Sequence, residues 1–181
     1  MFDLSCLKSY GKDIFISQNV EIKRPHLVNL GNHIAIDSGF YCTTQLEIAD
    51  YVHIGPQVTV IGGASGLLKV GNFCSISAGS RIICGSDSFT GDGLVSTVVP
   101  KNLNGSVIIK PVIIENFASI TTNVVIAPGV KIATGSVIGA NSFVNADTEP
   151  WTIYVGNPAR PIKMREKVKM IENAKLLGYN F

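Results

Sequence analysis

The sequence predicts an all-β solenoid: a parallel β-helix of about six coils, with one long loop and a C-terminal α-helix. Three observations carry this. Ile114, Ile120, Ile126, Ile132, Ile138 and Val144 stand six residues apart without a slip. The same spacing runs earlier through Ile16, Ile22, Val28, Ile34, Phe40, Leu46, Val52, Val58, Ala64, Val70, Ile76 and Ile82. The residues between are mostly small, polar or turn-forming, as in Ala127-Pro128-Gly129. A helix would put apolar residues at i, i+3, i+4 and i+7, and a half-solvated strand would alternate. A strict six fits a flat strand-and-corner unit with one aliphatic turned inward. Such a unit buries little alone, but stacking makes a continuous core.

In chain order, residues 1–13 are a short lead-in, expected as a helical turn covering the open end of the stack. Residues 14–83 are coils. Three units make a triangular coil of 18 residues, so positions 18 apart are expected to stack. That gives core columns Val28, Leu46, Ala64, Ile82 and Ile22, Phe40, Val58, Ile76. A column past one corner reads His33, Tyr51, Lys69, Asp87, with Lys69 directly under Asp87. His53 then lies two coils below position 89. The period fails over residues 84–107, which are rich in Gly, Ser, Thr and Asp; a loop this long is usually functional or disordered. Regular repeats are read again from about Ile108, and residues 108–149 supply about two more coils. Residues 150–181 form the tail. A helix is expected from about Ile162 to Leu177, with Gly178 as its stop.

Composition bounds the function. A chain of 181 residues suits one domain. A net charge of +2 gives no field that would favour nucleic acid or a membrane surface. The four cysteines, Cys6, Cys42, Cys74 and Cys84, form no CxxC pair, which fits reduced thiols and a cytoplasmic location. The start has neither a basic region nor a long apolar run, and no stretch reaches membrane-spanning length. His26, His33 and His53 are 7 and 20 apart rather than one coil apart. They form no ligand column, so no metal is expected.

The run Ile126 to Ser142, followed by Gly156-Asn157-Pro158-Ala159-Arg160, resembles the end of hexapeptide-repeat acyltransferases. These are left-handed parallel β-helix trimers that use acetyl-CoA. Within them, Ser86 to Leu94 and Glu149 to Tyr154 resemble a narrower group acting on sugars. It includes the dTDP-4-amino-4,6-dideoxyglucose N-acetyltransferases of O-antigen pathways. The resemblance implies left-handed winding, a homotrimer and sites between subunits. It also implies that Thr122 and Ala140 line the pantetheine path. Asn145, Arg160 and Lys163 would meet the adenosine phosphates, where a cation pairs with phosphate. The family often has Lys where Ala146 stands, so one phosphate contact is missing here.

The reaction is attack of a nucleophile on a thioester, which needs proton removal and donors for the oxyanion. Relatives that acetylate hydroxyls often keep a His in the loop equivalent to 84–94. This loop has none, which favours an amine, nucleophilic once its ammonium loses a proton. Asp87 and Asp92 are the loop carboxylates that could hold that ammonium or take its proton. Structural roles compete: an ion pair with Lys69 for Asp87, and a turn before Gly93 for Asp92. His53 is a further candidate on the same groove, and Ser86, Ser88 and Lys69 are candidate substrate contacts. The expected function is acetyl-CoA-dependent N-acetylation of a nucleotide-linked amino sugar for surface polysaccharide. The alternatives are O-acetylation of a sugar hydroxyl and a non-catalytic scaffold, though a scaffold needs neither the loop nor the tail motif.

Overall fold

The computed structural model describes residues 2–181. The chain winds as a parallel β-helix with three flat faces. The first face stacks five strands, from Val28–Leu30 up to Lys131–Ile132. The second stacks seven parallel strands, from Ile14–Ile16 up to Thr152–Val155, and is closed by the antiparallel strand Arg160–Met164. The third stacks six, from Glu21–Ile22 up to Phe143–Val144.

Several strands turn two side chains inward, at i and i+2, as in the buried–half-buried–buried pattern of Val28–Leu30 and Ile34–Ile36. This explains how an unbroken six-residue period conceals changes of register. Ile14 stacks under Ile34, Ile34 under Val52, and Ile54 under Ile76. The offsets are therefore 20, 18 and 22 residues. A 3-10 turn at Pro25–Leu27 adds two residues to the first coil. The turn through Gly62–Gly66 adds four to the third. Both additions are even, so one inward position takes over from the other and the period survives.

The expected columns change accordingly. Leu46 lies under Leu68, and Ala64 is exposed on the added turn. Ile22 lies under Cys42 rather than Phe40, and Ile76 sits between Ile54 and Ile120 rather than over Val58. Above Tyr51 comes Phe73, not Lys69. Lys69 stands on the first face between Glu47 and Ile113 and pairs with Glu47 at 2.7 Å, so it does not lie under Asp87. Above His53 come Ser75 and then Ser119, not residue 89.

The corner between the first and second faces carries an aromatic ladder: His33, Tyr51, Phe73, Phe117 and Trp151. All five are left-handed, with φ between 54° and 62°. That conformation is unfavourable for bulky residues. Neighbouring rings stack at centroid distances of 4.4 to 5.6 Å, which offsets part of the strain. The C-terminal segment closes over this ladder. Its helix, Val168–Leu176, buries Ala174, and Tyr179 and Phe181 meet the rings edge-on. Gly178, at φ 89°, ends the helix as expected, its N–H donating to the Lys175 carbonyl. The helix starts later than expected. Ile162 to Met164 extend the second face as a strand, because Pro161 lies within that strand and the top edge of the sheet needs a partner. At the other end, Lys8 and Ser9 donate to Val28 and cover the lower edge of the first face.

The long loop is a projecting arm. Its base is a hairpin, Gly85–Asp87 against Val107–Ile109. Ile108 thus belongs to the arm, and the coils resume at Val112. The arm leaves the stack between the third and first faces. Gly62 and Gly85 meet there backbone to backbone; a Cβ on Gly62 would stand 2.8 Å from Cys84 C.

Candidate functional site

Two separate places collect the candidate residues. The first is the corner between the second and third faces. Asn141 donates to the Thr122 carbonyl at 3.0 Å, so Thr122 and Ala140 lie on successive rungs, both exposed. Asn123 donates to Ala78 in the same way, which puts Ser77 and Ala78 one rung lower. At the upper end, Ala159 donates to the Phe143 carbonyl, bringing exposed Arg160 beside the top of the third face, close to Asn145. Lys163 lies opposite Ile153 on the closing strand. The structure thus puts Thr122 and Ala140 on one edge and Arg160 at its upper end, whereas Lys163 lies further along the closing strand, across the second face. Small residues leave room along this edge for a thin chain, and Arg160 brings a cation to its upper end.

The second place is the arm. Ser86 and Asp87 lie on its base strand, opposite Ile108 and Val107. Asp92 is the hub of the arm beyond. It accepts from Ser88 Oγ at 3.0 Å, Thr90 Oγ1 at 3.2 Å and Ser106 N at 2.9 Å, and from the Ser106 hydroxyl. Those donors, the Ser106 hydroxyl foremost, hold its carboxyl well below the usual range. A carboxylate so engaged is a poor proton acceptor, which speaks against Asp92 as the base, and its hydrogen bonds anchor the arm. The Ser88 hydroxyl is engaged in the same anchor.

His53 belongs to neither place as expected. It stands on the second face, and its Nε2 meets Asp37 Oδ2 at 2.9 Å. Within one chain the arm leaves from the corner opposite that face. Sequence reasoning passed over Asp37 and Ser77, because their neighbours depend on the register changes. The buried thiols take no part: burial pushes Cys74 and Cys84 up to about 12. Among the described residues no group of three or more His, Cys, Asp or Glu could hold a metal ion.

Comparison with known proteins fits this geometry. No protein-family model matches the chain. The dTDP-4-amino-4,6-dideoxy-D-glucose acyltransferase of Escherichia coli is 30% identical over 174 residues, covering 91% of this chain and 85% of that one. The N-acyltransferase AntD of Bacillus cereus superposes with a TM-score of 0.89 at 30% identity, over 97% of this chain and 94% of that one. That crystal structure holds dTDP-4-amino-4,6-dideoxyglucose and coenzyme A, and another of AntD holds dTDP and 3-hydroxybutyryl-CoA. A chloramphenicol acetyltransferase of Agrobacterium fabrum is 29% identical over 83% of this chain and 73% of its own. A stacked six-residue solenoid with a projecting arm and an edge of small residues is, on these likenesses, an acyltransferase of the hexapeptide-repeat class. Within that class, the chain belongs to the dTDP-4-amino-4,6-dideoxy-D-glucose acyltransferase family.

Proposed function

We propose that the protein transfers an acyl group from acyl-CoA, acetyl-CoA first, to the amine of a dTDP-linked 4-amino sugar. One observation carries the reading. The likeness to AntD runs over almost the whole chain, and AntD binds both reactants. Pantetheine would follow the edge past Ala140 and Thr122 towards Ser77, with the CoA phosphates held by Asn145, Arg160 and Lys163.

Asp87 would hold the acceptor's ammonium by charge. AntD has been studied with a serine and, ten residues further on, an aspartate each replaced. In this chain Ser77 and Asp87 are the one Ser–Asp pair with that spacing. Ser77 lies at the lower end of the donor edge, where the thioester would lie. Ser86 would bind the sugar nearby.

The site needs more than one chain, since arm and donor edge occupy different corners. Nothing in a single chain covers the arm's apolar surface, with Leu94, Leu103, Val107, Ile108 and Ile109 between 40% and 58% exposed. A homotrimer in which each arm lies along a neighbour's donor edge answers both points. No helix among the described residues is long and apolar enough to cross a membrane. The expected setting is the cytoplasm, where the product would supply surface-polysaccharide assembly.

The test is incubation with acetyl-CoA and dTDP-4-amino-4,6-dideoxyglucose, following CoA release and the acylated sugar by mass. The reading expects stoichiometric CoA and amide. CoA release only with an acceptor whose amine is replaced by hydroxyl would favour O-acylation.

A further inference from the structure

Neither the donor edge nor the arm accounts for the Asp37–His53 pair. A carboxylate can only accept, so Nε2 of His53 carries the proton it shares with Asp37 Oδ2, leaving Nδ1 with a free lone pair. The backbone that carries this carboxylate is held in the ladder: the Asp37 N–H donates to the Ile54 carbonyl at 2.9 Å, one rung up. The His53 side chain is 54% exposed, so a reactant can reach it. Its neighbours on the face are Ala35 below and Ser75 above, neither of them charged. Ser75 and Ser77 flank Ile76 on the next rung, and Thr121–Thr122 stand one rung higher. Rungs are about 4.8 Å apart. The imidazole therefore stands one rung below Ser75, two residues along the face from Ser77 at the end of the edge assigned to pantetheine.

We propose that Asp37 is a positioning residue for acyl transfer: it holds His53 in the tautomer whose Nδ1 accepts the proton of the acceptor's ammonium. The inference rests on the acyl-transfer reading above. An N–H bond of the ammonium breaks and its proton passes to Nδ1. The freed lone pair attacks the thioester carbonyl carbon, the C–S bond breaks, and the thiolate takes up a second proton from the new amide nitrogen. His53 then returns its proton to water. Asp87, from the arm, supplies the charge that keeps the ammonium in place during the transfer.

Asp37→Asn tests this, because an amide can donate to Nε2 and so favours the opposite tautomer. With acetyl-CoA and dTDP-4-amino-4,6-dideoxyglucose, kcat should fall about 10²-fold, the lower range for acid–base help. Both KM values should stay within about twofold, since neither reactant loses a binding contact. Nitrogen-15 NMR of the ring should move the proton from Nε2 to Nδ1, a change that a merely structural pair would not link to rate. His53→Gln, at an exposed position, should lose as much, and the double variant no more than His53→Gln alone. Either single variant turning over at the wild-type rate overturns the proposal while leaving the acyl-transfer reading intact. A wild-type protein that releases no CoA with this acceptor removes that reading, and this one with it.

Discussion

The stack and the arm are built by opposite means. In the stack, columns such as Ile54, Ile76, Ile120 and Ile138 are fully buried, and each coil repeats its neighbour's backbone. In the arm, none of residues 85–109 is buried. Its apolar side chains face outward, and a single carboxylate, Asp92, gathers its polar groups. Stability thus resides in the stack, whereas the arm has shape without a core. The difference separates mutations into two kinds: those that melt the protein and those that stop it working.

The largest effect should come from the arm. Asp87→Asn keeps size and hydrogen bonding but removes the charge. Turnover should fall at least about 10²-fold, in the range lost with one stabilising group in a site. The melting midpoint and CoA affinity should not move. A parallel loss of melting midpoint would mean that the arm supports the fold and would blur the comparison.

The stack should answer the other way. Ile126, between Ile82 and Val144, is fully buried, and its column cannot collapse easily around a hole. Ile126→Ala should lower stability by about 2–5 kcal/mol in denaturant unfolding. The turnover of the protein that remains folded should be normal. A smaller effect is expected at the aromatic corner. Gly135 has φ 70°, and a side chain there would run into the Trp151 ring. Gly135→Ala should cost more than about 1 kcal/mol, read as a lower denaturant midpoint.

The register changes limit what could be read from sequence. Six-residue spacing located the inward residues well: Ile16, Val28, Leu46, Val70, Ile82 and Ile126 are all buried. It could not say which of them are neighbours, because Leu46 stacks under Leu68 through a four-residue turn that leaves the period intact. Each site expectation that depended on stacking failed for that reason, as with Lys69 and Asp87. Thr122 and Ala140, named from the resemblance alone, lie on successive rungs of one corner above the last register change. The partners of Asp92 and Asp37 were not legible. Each depends on donors or acceptors that only the folded chain brings together, Ser106 for one and His53 for the other.

The mildest prediction concerns pH. The folded-state pKa of Asp92 lies below its ordinary value of 3.8. Its hold on the arm is therefore complete above that value and is lost as pH falls through the folded pKa. Below pH 3.8 hydrogen exchange in residues 88–106 should quicken before the stack loosens. Asp92→Asn should quicken the same amides at neutral pH. Uniform exchange across stack and arm would contradict the division between them.

The central claim is that one chain's arm completes another chain's donor edge. Coexpressing Asp87→Asn with Arg160→Ala and isolating the mixed trimers tests it. Each parent should be nearly inactive at limiting acyl-CoA. In every mixed trimer one site in three would join an intact arm to an intact donor edge. Mixed trimers should then regain about a third of wild-type turnover. Mixed trimers no more active than their parents would mean that each chain carries its whole site, and the account would be wrong.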